Sequence, residues 1–301
     1  MVASVRGVPL AVETVRRVLA PVGHAVAAQQ RREANTASAP PATAPAPICP
    51  IPAGEVVLDG AWIHSRDTPH GMEVKVGVVH TGSEACGVTR TRLMQRRYAA
   101  TAQGIAPSAP LVTAALDRIG GFAAVEQTVL GDGAAWIWRL GAEVLPDAAL
   151  ILDRCGCPLG SMRDARRRAT RAAVPDKTVR QPWSVRLEDA LDCGDLPEAL
   201  RLLAQMQQHP HRALREFAQF LRAHAAQIPN YAVRRAAGQT IGSGTVEKGV
   251  DIIVNRRMKG RRGMRWRRDR AEEMVALRVA RLNDEWDARL ASALSPSTDR
   301  L

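Results

Sequence analysis

The spacing of apolar positions changes character several times along this chain. In AVETVRRVLAPVG, Val12, Val15, Val18 and Leu19 recur at helical intervals and predict a short, isolated helix within residues 1 to 34. Residues 35 to 54, NTASAPPATAPAPICPIPAG, are rich in Ala, Pro and small polar residues, lack the apolar surface to fold, and read as a linker. The compact part is expected to begin near Glu55. There, EVVLDGAWI and EVKVGVVHT are β-branched runs separated by the turn-like SRDTPHGM, which predicts an antiparallel pair. RRYAATA gives a weaker third strand signal. PLVTAALDRIGG, residues 110 to 121, predicts a helix stopped by glycines; QTVLGD, AAWIWRLGAEV and ALILDR then read as strand, helix and strand. The order β-β-β-α-β-α-β implies an α/β protein with a mixed sheet flanked by helices.

After Asp153 the strand signals stop. Residues 161 to 228 carry only helical periodicity, with Leu196, Leu200 and Leu203 on one stripe and Leu214, Phe217 and Leu221 on another, the pattern of an all-helical insertion. A helix after the glycines of IGSG closes the α/β pattern. A last amphipathic helix carries Val275, Val279, Leu282 and Trp286 on one face. The expected organisation is an N-terminal helix and linker (1–54), the first part of an α/β core (55–158), the insertion (159–238), a closing helix with a basic segment and C-terminal helix (239–290), and a tail (291–301).

Composition narrows the partners. Over 301 residues the hydrophobic fraction is 46%, ordinary for a globular protein, whereas the formal charge is +12. That excess favours a polyanionic partner, nucleic acid before an anionic membrane surface. No apolar run is long enough to span a bilayer, and the N-terminus lacks the basic and apolar regions of a secretory signal, so no membrane partner is expected. The five cysteines, at positions 49, 86, 155, 157 and 193, are odd in number and irregularly spaced, which fits a reducing, cytoplasmic setting better than a disulfide framework. Cys155-Gly-Cys157 has no second pair to complete a zinc set.

Three acidic residues stand in related settings. Asp59 lies near the end of the first strand in VVLDGAW, Asp132 ends a later strand in TVLGDGAAW, and Glu247 opens the helix of IGSGTVEKGVDIIV, on the flank of the Val246, Val250, Ile253 stripe. Each alone is explained by turn chemistry or by the helix dipole, with Ser243 or the glycines capping the helix. Together they form the kind of oxygen set that Mg2+ or Mn2+ prefers, converging from different elements. Asp251 lies one helical turn after Glu247 and is a competitor for its role; Asp153 and, less so, Asp67 also follow strand-like runs. His64, His70 and His80 are assigned to the hydrophilic face of the hairpin. Trp136 and Trp138 are expected to pack their helix on the sheet.

Residues 256 to 270, RRMKGRRGMRWRRDR, concentrate positive charge: Arg256, Arg257, Lys259, Arg261, Arg262, Arg265, Arg267 and Arg268 surround Trp266. Phosphates relieve such self-repulsion by counterion release, so this segment is the expected DNA-binding surface. Trp266 is read equally as a stacking ring or as an anchor to the core. Arg163 to Arg171 form a second basic cluster.

With these residues in place, the chain resembles insertion-sequence transposases of the DDE type, in the Kra group, over about Val56 to Trp286. The resemblance rests on VVLDGAWIHSRD, HGMEVKVGVVHTG, RRYAAT, LGDGAAWIW, AAVPDK, IGSGTVEKGVDIIVNRRMK and GMRWRRDRAEEM. It implies a ribonuclease H-like core in which Asp59, Asp132 and Glu247 hold two Mg2+ (or Mn2+) ions for DNA cleavage and strand transfer, a helical insertion between Asp132 and Glu247, and action as a homodimer on paired DNA ends. Two departures are visible. The region before the first strand is shorter than in the group, and DRCGCPLGSMRD is helix-breaking where an aromatic and histidine-containing helix start is expected. These departures lead to the expectation of a truncated copy; the alternative is a non-catalytic DNA-binding protein derived from such an element.

Overall fold

The computed structural model describes residues 3–5, 8–10, 12–37, 51–86, 91–154, 177–205, 212–259 and 263–295. The linker core, Cys49, Cys155 and Cys157, the cluster from Arg163 to Arg171, and Arg261 and Arg262 lie outside the described residues. After a short hairpin, β1 (Ala3–Val5) and β2 (Val8–Leu10), comes α1 (Val12–Thr36). The central sheet uses β3 (Ile51–Ile63), β4 (Met72–His80), β7 (Arg97–Thr101), β8 (Ala124–Gly131) and β9 (Ala149–Leu152) in the order β7-β4-β3-β8-β9. A small hairpin, β5 (Ser83–Ala85) and β6 (Thr91–Leu93), which the periodicity does not announce, is inserted between β4 and β7.

The predicted pairing of the first two strands is present: β3 and β4 run antiparallel over Glu55↔His80 to Ile63↔Met72. RRYAATA does form a strand, antiparallel to β4, and β3, β8 and β9 are parallel to one another. Strand β3 is central and alternates between two cores, because successive side chains point to opposite faces. Val56 and Leu58 meet α2 (Ser108–Asp117) and α3 (Ala135–Val144) through Val112, Leu116, Ile137 and Leu140. Val57 and Ala61 meet the other face's helices, α8 (Gly244–Val250) and α10 (Arg268–Leu282), through Val246, Val250, Val275 and Val279, with the short α9 (Arg256–Met258) between the two in the chain.

The insertion is helical where described: α4 (Lys177–Asp192), α5 (Leu196–Gln205), α6 (Arg212–Ala223) and α7 (Tyr231–Ala236). Its core is Trp183, Leu187, Ala199, Leu202, Leu203, Leu214, Phe217 and Leu221. Leu196 and Leu200 sit at its margin, since the buried stripe of α5 runs through Ala199 and Leu202 instead. The insertion docks on the sheet at β9, where Leu152 joins its core and the Tyr231 hydroxyl donates to the Leu152 carbonyl at 2.7 Å.

Four expectations need correction. The N-terminal helix is neither short nor isolated: α1 has 25 residues and buries Val22, Val26 and Ala27 against Ala276 and Ala280 of α10. The first strand of the sheet begins at Ile51, inside the expected linker and ahead of Glu55, because β8 pairs with β3 from Ile51 onward. The last helix is two helices, since Asp284 adopts a left-handed φ of 58° between α10 and α11 (Trp286–Leu294). Asn283 at that break accepts from the Tyr98 N–H at 2.8 Å and donates to the Tyr98 carbonyl at 2.9 Å, covering edge strand β7. Finally, His80 is not on a hydrophilic face: it is fully buried beside Glu55, 3.9 Å away, and burial holds its pKa down, whereas His64 and His70 are exposed. Among the described residues no helix is long and apolar enough to cross a membrane.

Candidate carboxylate site

Parallel pairing brings the C-terminal halves of β3, β8 and β9 to one end of the sheet. Asp59 lies in β3 opposite Val76 of β4, on the face that α8 covers. Asp132 follows Gly131, the last residue of β8. Glu247 is in the first turn of α8, exposed beside the buried Val246 and Val250, on the predicted flank of that stripe. Asp132 and Glu247 both act electrostatically on Asp59. Burial pushes the Asp59 carboxyl up to about 6; the Gly60 N–H, 2.7 Å away, opposes this, and the charges of Asp132, Glu247 and Asp153 add to the rise.

Local sequence explains how each carboxylate is held. Gly131 permits close packing of α3 on β8, because a Cβ there would meet Ile137 at 2.7 Å. Gly133 has a φ of +97°, a conformation few other residues tolerate. Between them, Asp132 turns back so that Oδ1 accepts the Ala134 N–H at 2.9 Å, just before α3 begins. Ser243 occupies the N-cap position of α8, yet its hydroxyl does not cap the helix; it donates to Oε1 of Glu247 at 2.8 Å and so orients that carboxylate.

The competing carboxylates separate. Asp153, fully buried, receives backbone support from Gly131: its own N–H donates to the Gly131 carbonyl at 2.7 Å, and Gly242 of the loop before α8 lies over its side chain. It therefore belongs to this end of the sheet. Asp251 is instead paired with Arg256 at 2.7 Å. Asp67 accepts the Arg268 N–H at 2.7 Å at the start of α10, a helix-capping role.

The basic segment is tied to the same end of the molecule. Beyond β3, Ser65 forms a parallel bridge with Trp266: the Trp266 N–H donates to the His64 carbonyl at 2.9 Å, and the Arg66 N–H to the Trp266 carbonyl at 2.8 Å. Trp266 is half-buried against the core and its indole N–H donates to the Met258 carbonyl at 3.1 Å, so the residue anchors the segment to the core. Arg256, Arg257, Lys259, Arg265 and Arg267 are exposed, while Arg268 is partly withdrawn because its guanidinium donates to the Ala102 carbonyl at 2.5 Å. Arg278, which the sequence reading missed, joins this cluster: burial, then the charges of Arg257, Arg256 and Arg281, hold it below the usual arginine range.

A second missed residue is His224, just after α6. Its Nε2 lies 2.9 Å from the Gly133 carbonyl, and burial holds its pKa down while the Asp132 charge opposes the shift. No periodic signal marks it. Trp136 is buried under Lys75, whose Nζ stands 3.9 Å from the ring centroid, and Trp138 is half-buried between α3 and the insertion, in line with their expected packing role.

The donor set suits a hard divalent cation, since carboxylate oxygens are its preferred ligands and the raised Asp59 carboxyl would be relieved by positive charge. Among the described residues no three His, Cys, Asp or Glu side chains are so arranged that they could hold an ion as they stand. What fold and site define together is an α/β protein whose mixed five-stranded sheet, flanked by helices, gathers carboxylates at one end beside a basic surface. No protein-family model matches this chain, and no curated protein matches it.

Proposed function

We propose that this protein is a Mg2+- or Mn2+-dependent DNA-cleaving and strand-transferring enzyme, a DDE transposase of an insertion sequence built on a ribonuclease H-like core. The observation that carries the reading is the placement of the three carboxylates: the neighbouring parallel strands β3 and β8 carry Asp59 and Asp132 to one end of the sheet, and α8 packs there with Glu247, so that the charges of both add to the rise of the Asp59 carboxyl. Support comes from the exposed arginines tethered to the chain just beyond β3.

In this reading Asp59, Asp132 and Glu247 are the ligands of the divalent ions. Bound there, such ions supply Lewis-acid stabilisation of the charge that develops at a phosphodiester undergoing in-line displacement. The protein's own groups orient the ligands: Gly60 N–H at Asp59, Ala134 N–H at Asp132 and the Ser243 hydroxyl at Glu247. Arg256, Arg257, Lys259, Arg265 and Arg267 neutralise DNA phosphates, which gives salt-sensitive binding.

The test is cleavage of supercoiled DNA by purified protein in Mg2+, beside Asp132→Asn. The expected result is nicking by the wild type, loss of nicking in the variant, and equal salt-sensitive binding by both. Binding without any wild-type cleavage overturns the catalytic reading in favour of a non-catalytic DNA-binding protein. Strand-joined products distinguish a transposase from a nuclease with the same core.

A further inference from the structure

We infer that His224, supplied by the helical insertion, is a positioning residue for Asp132, fixing the turn Asp132-Gly133-Ala134 through a hydrogen bond to the Gly133 carbonyl. The inference rests on reading Asp132 as a divalent-cation ligand. It deepens that reading by giving the insertion a part in the site.

Four contacts define the position of the ring. Nε2 is 2.9 Å from the Gly133 carbonyl oxygen, and Nδ1 is 3.2 Å from the Phe220 carbonyl. A neutral imidazole has a single N–H to donate; assigned to Nε2, which makes the shorter contact, it is donated to the Gly133 carbonyl and leaves Nδ1 beside the Phe220 carbonyl as a neighbour, not a hydrogen bond. The ring stacks on Phe220 at 4.5 Å and meets Trp138 edge-on at 6.2 Å, held from the insertion side by one aromatic and from α3 by the other.

The receiving turn is shaped for this contact. Gly133 sits at a φ of +97°, and a Cβ there would come within 2.7 Å of His224 Nε2, so any larger residue displaces the ring. The carbonyl that His224 holds belongs to the residue between Asp132 and its own backbone partner, the Ala134 N–H. Movement of the insertion is thereby transmitted to the Asp132 carboxylate, as outer hydrogen bonds orient the ligands they support.

Binding of Mn2+ alone, followed by electron paramagnetic resonance of the free ion, tests this without requiring turnover. Wild type, Asp132→Asn, His224→Ala, His224→Gln and Leu203→Ala are compared, each with its unfolding midpoint. Asp132→Asn should abolish the site, and His224→Ala should weaken it by about 10- to 100-fold, the usual effect of removing an outer-sphere partner. His224→Gln, whose amide also donates, should restore most of the affinity. Leu203→Ala creates a cavity in the insertion core, where Leu203 is buried, and should lower the midpoint while leaving Mn2+ affinity as in the wild type. Wild-type affinity in His224→Ala alongside loss in Asp132→Asn overturns the positioning role alone, as does equal weakening in Leu203→Ala. Mn2+ binding that is indifferent to Asp132→Asn overturns the ligand reading, and the positioning role with it.

Discussion

Asp59 carries a charge in an unfavourable place. Its folded pKa of about 6 lies above the ordinary 3.8, so the folded protein favours the protonated form. The associated stability is complete below about pH 4 and is lost as the pH rises through about 6, by at most about 3 kcal/mol at 1.36 kcal/mol per unit. Asn keeps an acceptor for the Gly60 N–H without the charge. Asp59→Asn should therefore raise the denaturation midpoint at pH 8 in the absence of divalent ions and leave it little changed near pH 4; equal midpoints at pH 8 would contradict the burial argument. Asp59 and Asp132 were legible as a pair because both end apolar runs with Asp-Gly. Asp67 also follows a strand-like run, but without the Asp-Gly step, and the contact of its carboxylate with the start of α10 gives it a different role. His224 was not legible, because its role depends on a carbonyl 91 residues away.

The helices show where periodicity succeeds and where it fails. Glu247 was correctly set on the flank of α8, but the next residues, Asp251–Asn255, form a π turn. That turn changes the register between Glu247 and the arginines, and the Ile252 carbonyl accepts from the guanidinium of Arg278 at 2.8 Å. A regular 3.6-residue pattern cannot anticipate this. The single amphipathic helix expected through Trp286 fails for a related reason: Asn283 is engaged by the backbone of β7, and the helix ends there. At the other end of α10 the cap comes from a distant strand connection. Removing it by Asp67→Ala should cost about 0.5–2 kcal/mol, read by chemical denaturation, and should leave Mg2+-dependent cleavage intact. Loss of cleavage at unchanged stability would place Asp67 in the site after all.

The assembled protein joins its ends around the sheet. Helix α1 packs on α10, and Glu33 of α1 pairs with the buried Arg289 of α11 at 2.8 Å, while Arg289 also reaches Glu285 at 2.6 Å. Sequence could not reveal this, since a narrow apolar stripe in α1 gives no indication of its partner 250 residues later. The same distant packing sets the insertion on β9 and brings His224 to the Asp132 turn. Basic charge, visible in composition, acquires a location only when Trp266 is bridged to Ser65. The proposed function requires Asp59, Asp132 and Glu247 to form a divalent-cation site. Crystals soaked in Mn2+ and measured for anomalous scattering test it most directly. Manganese peaks in contact with the Asp59 and Asp132 carboxylates, lost in Asp132→Asn crystals, are the predicted result; a well-ordered site with no peak under saturating Mn2+ would contradict it.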